Sequence, residues 1–439
     1  MEPERKTVTE AAREIPVAGQ ADVVVVGGGV AGVAAALAAS RSGARVILLE
    51  KSIILGGLAT LGLVCVYLPI DDGAGHKIYG GMAEELLHVC IRYGYDDLPE
   101  CWRSGPDTVE APTGRYRSTF NIPAAVCALD ELLEEAGVEV VFDTVFCAPL
   151  MEDGRCAGVL AENKSGRCAY LARVFVDATG DSDLLFRAGA PCETQKSIVS
   201  HWAHEIDLND DAIQTAIAEK NVLKALPLRW LGLRPDADNS RSEIPTYEGT
   251  TSEGVNGYIR TSRALARDFL KRNNRPGYAM MTLPLMPQFR TTRRLIGVKE
   301  LALEPGTHVD SSIGCVIDSL AKCAAVYEFP YEGLIDARIP NILAAGRMVS
   351  AGGKGWEIVR YIPACVLTGQ AAGTAAAMCA QTGTDVQKLD VAALHGKLGA
   401  AGVKIHMDEA VRGNRGGAEQ WKGGKGHMNV QIKTDTVFH

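Results

Sequence analysis

No two of the 12 cysteines in this 439-residue sequence are spaced Cys-x-x-Cys. Zinc ribbons, thioredoxin-type redox pairs and ferredoxin-like clusters are built on such pairs, so all three are excluded. Long hydrophobic runs are missing as well. The most apolar stretch, Val23 to Ala39, is cut by Gly27, Gly28, Gly29 and Gly32 and is too short for a membrane span. The first twenty residues are polar and hold no signal-peptide core. Positive charge is in deficit, with 45 Lys and Arg against 53 Asp and Glu, and no basic stripe offsets it. A nucleic-acid partner is therefore not expected. Nor is there an internal repeat. What remains is a chain with ordinary globular composition, expected to be soluble, cytoplasmic and rich in reduced thiols. Its length suits roughly three domains, or two large interleaved ones.

The clearest pattern runs from Asp22 to Lys51. A four-valine run, a glycine turn, an alanine-rich helical stretch and a second apolar run ending in an acid make one βαβ unit. Ala124 to Ala136 reads as a helix and Val138 to Phe142 as a strand. Asp153-Gly154 and Ser165-Gly166 are hairpin signals that make the region up to Asp177 an antiparallel meander beside the parallel sheet. From about residue 196 the composition turns longer-segmented and more polar, with helices over Asn209–Leu226 and Gly257–Lys271. After Pro340 the small apolar style returns, with a strand at Asn341–Ala345 and a helix from Pro363 to Gln381. The expected class is α/β: a Rossmann-like domain built from residues 21–195 and 336–412, with an α+β substrate domain inserted at 196–335. Residues 1–20 are an extension, and 413–439 a glycine-rich tail.

Gly27-x-Gly29-x-x-Gly32 follows a strand and opens a helix at Val30 and Ala31. Gly27 permits the tight turn, Gly29 lets backbone approach a pyrophosphate, and Gly32 allows close helix–strand packing. Glu50, followed by Lys51, ends the next strand where it can accept from ribose hydroxyls. In this strand–turn–helix–strand–acid context the glycines imply a dinucleotide. FAD is favoured over NAD by three further turns. These are Gly56-Gly57-Leu58-Ala59-Thr60, Ala178-Thr179-Gly180-Asp181 and Ala344-Ala345-Gly346-Arg347, which can converge at the carboxyl ends of parallel strands. Pro363 at a helix start leaves the N–H groups of Ala364 and Cys365 free to face the pyrimidine edge of a reduced flavin.

These segments, with VFVDATGDSDL, FRTTRRLIG and RYIPACVLTGQAAGTAAA, resemble the FAD-dependent oxidoreductase family of the glutathione-reductase-like flavoproteins, more distantly related to fumarate reductase flavoproteins. The likeness covers residues 20 to about 410. It implies a tightly bound FAD, a two-domain architecture and redox chemistry at flavin N5, with the backbone of Phe146 holding the adenine. One departure bears on attachment. Succinate dehydrogenase-type flavoproteins carry a histidine near the second glycine turn, whereas none occurs here before His76, so non-covalent FAD is expected. The substrate histidine and Gly-Gly-Asn motifs of fumarate reductases are also absent.

On the substrate side, Arg290, Arg293 and Arg294 form the densest cationic group, suited to bidentate carboxylate recognition. Ion pairing across the domain junction is their alternative use. His201 is a candidate base, although an ordinary hydrogen-bonded histidine is the simpler reading. His201 and His204 do not suit a metal, and no metal site is expected. Arg360 and Tyr361 lie nearest the helix start that should face the flavin. Arg293, Arg360, Tyr361 and His201 are thus the candidate catalytic set, acting on a small polar, anionic substrate. The electron donor or acceptor is open, and so are two other readings: a redox subunit serving a partner protein, and a flavin-binding protein without turnover. Finally, Asn429 to Phe438 alternates as a strand, following six glycines in Gly413–Gly426. It needs an edge, and a neighbouring subunit's edge would make a homo-oligomer; the alternative is an unpaired tail.

Overall fold

Val23 to Val26 are buried on both faces of the strand Val17–Val26, which runs parallel to Val46–Leu49 on one side and Gly166–Asp177 on the other. An unbroken β-branched run is what a strand covered on both faces requires. Glu139–Val141 extends the sheet past Val46–Leu49, and Ile342–Ala344 pairs with the far edge of Gly166–Asp177, both in parallel. Gly27, Glu50, Ala178 and Ala345 therefore leave the carboxyl ends of neighbouring strands along one sheet edge. That edge is where open α/β sheets bind ligands. The computed structural model describes residues 7–234, 242–412 and 432–434.

The strand Gly166–Asp177 has a divided far edge. Its last residues face Ile342–Ala344, while Gly166–Leu171 pair antiparallel with Arg155–Asn163, which pairs in turn with Val145–Glu152. This is the expected meander. Its first turn is Asp153-Gly154, both residues at positive φ (48° and 79°). The second falls one residue earlier than read, on Lys164-Ser165, because Gly166 is already paired with Asn163.

Two helices lie under the sheet edge almost backbone to backbone. A Cβ on Gly369 would stand 2.2 Å from the Ala31 carbonyl oxygen, and one on Gly373 2.0 Å from that of Ala35. A Gly-x-x-x-Gly stripe on Ile362–Thr382 thus meets an Ala-x-x-x-Ala stripe on Val30–Arg41. Ile362–Thr382 has the length and hydropathy to cross a membrane, but its whole apolar window is buried inside the protein.

The inserted region forms an antiparallel sheet of Tyr278–Met280, Ser200–Asp207 and Leu228–Gly232, beside the helix Ser252–Arg272. Some of its apolar side chains make two small clusters of their own, Val199–Tyr258–Phe289 and Leu231–Ala266–Phe269, while Leu223 and Leu228 join the main core. Buried residues from Leu295 to Ile335 also join the main core. Arg293–Leu295, the strand at the start of this stretch, pairs with Cys192–Thr194. The helix expected over Asn209–Leu226 is split into Asp211–Glu219 and Val222–Ala225 by Lys220, which takes a left-handed conformation (φ 51°). Of the expected tail strand, Ile432–Thr434 runs parallel to Leu228–Trp230 on the outer edge of this sheet. The edge it takes here belongs to its own chain. Gly413–Gly426 and the rest of that strand lie outside the described residues.

Candidate active site

The first glycine turn is built by exclusion. A Cβ on Gly32 would stand 1.8 Å from the Gly27 carbonyl oxygen, and one on Gly27, at φ 105°, 2.4 Å from that of Ala178. Neither position admits another residue. Gly29 is the opposite case, with nothing within 4 Å of where its Cβ would be. Space is kept open there above the N-terminus of Val30–Arg41, at Val30 and Ala31. Glu50 is buried behind the turn, accepting from the Gly28 N–H and the Ser52 N–H, each at 2.7 Å. It orients the turn as well as ending its strand. Lys51 beside it is exposed.

The second turn folds onto the first. The Gly56 N–H donates to the Gly28 carbonyl at 2.8 Å, and a Cβ on Gly57 would stand 3.1 Å from the Gly29 Cα. Gly57–Ala59 forms a short 3-10 turn through Leu58, closed by the Thr60 hydroxyl donating to the Leu55 carbonyl at 2.6 Å. In the third turn the buried Asp177 accepts from the Thr179 hydroxyl (2.7 Å) and the Leu185 N–H (2.8 Å). Burial pushes its carboxyl up to about 6, against those donors, which favour the charged form. The fourth turn places Gly346 against Ala31, and its N–H donates to the Thr368 hydroxyl at 3.0 Å.

Arg347 is a staple between turns. Its guanidinium donates to the Gly180 carbonyl (2.7 Å), Asp181 Oδ1 (2.7 Å) and the Phe289 carbonyl (2.6 Å). The Arg347 and Asp181 side chains, both read as cofactor contacts, thus bind each other and the cap. A second correction concerns the helix start. The helix begins at Ile362 with Tyr361 as its cap, so the Cys365 N–H already donates to the Tyr361 carbonyl at 2.9 Å. Of the two N–H groups expected to be free, only that of Ala364 lacks a helical acceptor. Phe146 is half-buried near the start of Val145–Glu152, under the Arg187 guanidinium at 5.4 Å. Just upstream, the Thr144 N–H donates to the Glu50 carbonyl at 3.0 Å.

Across the turns sits the cap. Arg293 does not face the junction as a free clamp: it pairs with Asp183 at 2.6 Å, donates to the Asp181 carbonyl at 2.8 Å and covers the Phe186 ring at 3.9 Å. Its assignment to substrate is corrected to a structural ion pair. Arg294 is held by Glu193 and Glu300. Arg290 is different. Its Nη1 is buried with no hydrogen-bond partner among the described residues, and its guanidinium lies over the Trp230 ring at 5.7 Å. Burial and the charge of Arg360 pull its pKa down to about 10. Gln288 and Phe289 fix it in place. The Gln288 side chain donates to the Gly62 carbonyl and accepts from the Trp202 N–H at 3.2 Å, while Phe289 is held by Arg347.

Arg360 is paired with Glu357 and lies over the Tyr361 ring at 5.1 Å. Burial raises the Tyr361 phenol, so it stays protonated. His201 is only 2% exposed, and burial pushes it down to about 4. Burial thus disfavours the protonated imidazole, while its Nδ1 has no hydrogen-bond partner among the described residues. Sequence reasoning singled out neither Gln288, which joins cap to turn, nor the Gly369/Gly373 stripe. The four-residue spacing of that stripe opposite Ala31 and Ala35 was the available signal.

The sequence model of the FAD dependent oxidoreductase family matches residues 22–282 and 310–398. The chain belongs to this family. A thioredoxin reductase from Ureaplasma parvum is 37% identical over 79 residues, 18% of this chain and 26% of that protein, so the match spans about a quarter of its length. Among solved structures, a p-nitrophenol 4-monooxygenase from Pseudomonas putida shares 13% identity over 90% of this chain and 92% of that one, with a TM-score of 0.45. A geranylgeranyl bacteriochlorophyll reductase-like protein from Thermoplasma acidophilum shares 13% over 90% and 95%, with a TM-score of 0.43.

The protein is an FAD-dependent oxidoreductase, and its sheet edge fits the cofactor. Open space at Gly29, beside a helix N-terminus with unused N–H donors, suits a pyrophosphate. The second turn, packed on the first, continues the same edge.

Proposed function

We propose that this enzyme exchanges a hydride with a small anionic organic substrate, seated between the segment Gln288–Arg290, the strand Ser200–Asp207 and the helix start at Arg360–Tyr361. The single observation that supports this most is Arg290, a part-buried guanidinium whose buried Nη1 has no hydrogen-bond partner among the described residues. An unpaired buried charge costs several kcal/mol, and a carboxylate from the substrate offsets that cost. FAD supplies the redox centre, taking or giving a hydride at N5. Around it Arg290 offers a planar fork that fixes a carboxylate in orientation as well as position. Arg360, steadied by Glu357, adds positive potential, and Tyr361 and Trp230 form apolar walls that keep water out. FAD is held without a covalent bond in this reading. No histidine precedes His76 near the second turn, and His76 is itself engaged by Asp72 at 2.8 Å. Glu50 receives the ribose, and the Phe146 backbone the adenine.

The test is anaerobic titration of the oxidised holoenzyme with a panel of small carboxylic acids and their amides, followed by flavin absorbance. Bleaching by an acid and not by its amide is expected, and Arg290→Ala should abolish that preference while retaining FAD. Equal bleaching by acid and amide would reassign Arg290.

A further inference from the structure

His308, Glu328 and His406 are far apart in sequence, and nothing in their spacing announces a site. The fold brings them together where the strand Val326–Pro330 meets the loop before Ser312–Ile317 and the segment that follows the helix Val391–Ala400. His406 Nδ1 lies 3.0 Å from Glu328 Oε2, and His308 Nδ1 lies 3.4 Å from the same oxygen. One donor atom from each residue falls within 4.8 Å of the others, and the two imidazole rings are 4.5 Å apart. Glu328 is buried at the base and His308 is half exposed, so the cluster opens to solvent on one side.

As a hydrogen-bonded cluster this arrangement is over-subscribed. The Val309 N–H already donates to Glu328 Oε2 at 2.7 Å, and the Met407 N–H to Oε1 at 3.0 Å. A carboxylate oxygen has two lone pairs, so two imidazole nitrogens contend for the one left on Oε2. Protonating both rings sets two cations side by side. A single divalent cation removes the conflict, since both ring nitrogens then turn lone pairs toward it. The second nitrogen of His308 supports the same reading: its Nε2 lies 3.2 Å from Asp310 Oδ1. Metal-bound histidines commonly donate their other N–H to a carboxylate in this way, which fixes the ring.

We propose that His308, Glu328 and His406 bind one divalent transition-metal ion of the zinc type, with water completing its coordination. Two imidazoles and one carboxylate are borderline donors, suited to zinc, and lack the all-oxygen shell that magnesium and calcium take. The ion ties the 308 loop, the strand Val326–Pro330 and the C-terminal segment at His406 together. None of these residues belongs to the flavin site, so the metal acts on stability and not on flavin reduction.

Holoenzyme stripped with a chelator and dialysed is titrated with zinc, and bound metal is quantified after equilibrium dialysis. One zinc per chain is expected, with affinity reduced at least about tenfold in His308→Ala and in His406→Ala. Zinc should raise the thermal midpoint of the parent and not of the His308→Ala/His406→Ala double variant. His308 is half exposed, so its replacement leaves the fold intact, which retained FAD checks. Cobalt separates this site from the 12 cysteines: weak visible bands without thiolate charge transfer are expected. No stoichiometric zinc, undiminished binding in the double variant, or a thiolate spectrum would overturn the proposal.

Discussion

Around the glycine turns, buried polar groups find partners within the chain. Glu50 takes two N–H groups, Asp177 takes the Thr179 hydroxyl and the Leu185 N–H, and Asp181 takes Arg347 and Thr292. Ser182 Oγ is the exception. Across the junction, Ser200 Oγ, His201 Nδ1, Trp202 Nε1 and Arg290 Nη1 are buried with no hydrogen-bond partner among the described residues. Native interiors leave few such groups, although on this strand His201 faces away from Ser200 and Trp202, so the four do not share one pocket. The cofactor end thus draws its partners from the chain itself, whereas four polar atoms of the cap have none among the described residues. This fits a fold in which the cofactor cradle is generic and specificity sits in the inserted domain.

The hardest test of that contrast sits within the first turn. Gly32→Ala places a methyl 1.8 Å from a carbonyl oxygen and should yield no folded, flavin-loaded protein. Gly29→Val meets nothing within 4 Å of its Cβ, so it should fold, with an unchanged circular dichroism spectrum, yet retain no FAD. If Gly29→Val stays yellow, the open space there is not the pyrophosphate's. In the cap the arginines should separate likewise. Arg290→Ala is expected to keep FAD and lower kcat/KM about a hundredfold, the loss of a charge-assisted contact worth about 3 kcal/mol. Arg293→Ala should instead lower stability by about 1–3 kcal/mol and leave KM alone, because it breaks a partly buried pair. A KM effect in the second variant and none in the first would reverse the assignment.

A similar effect should appear with pH. His201 has its folded pKa depressed to about 4, below the ordinary unfolded value. Its contribution is fully present above pH ~6.5 and is lost as pH falls through about 4, where only the unfolded chain has taken up the proton. The loss amounts to about 3 kcal/mol at its largest. Denaturant midpoints of the parent and of His201→Leu should diverge across that window. Parallel pH profiles would show that the imidazole is hydrated and not buried.

How much of this could be read beforehand depends on how local the cause is. Asp22 to Lys51 holds a whole βαβ unit in consecutive residues, and each later glycine turn directly follows its own strand, so the cradle was legible. The roles of Arg290 and Arg293 were not. Both stand in FRTTRRLIG, and which one is neutralised depends on where the fold puts Asp183, 110 residues upstream. Cys365 shows the same limit at short range. One extra helical residue ahead of Pro363 consumes its N–H, and propensity alone does not locate helix starts that finely. Ser312–Ile317 and Val326–Pro330 look in sequence like more of the insertion, although their buried side chains join the main core.

The smallest effect concerns the tail. Ile432–Thr434 adds a fourth strand to the cap sheet through three parallel pairings with Leu228–Trp230. Parallel pairing so short contributes little by itself. Its position matters more than its strength, because it shields the edge of the strand that carries Trp230, the face under Arg290. Deleting residues 413–439 should therefore lower the thermal midpoint by only a few degrees, the size expected for about 1 kcal/mol in a chain of this length. Mass by light scattering should equal that of the full chain less the tail, subunit for subunit, since the edge is found within one chain. A truncated protein that falls apart into smaller particles would show instead that the strand pairs between subunits, and the comparison would then be between two chains and not between two ends of one.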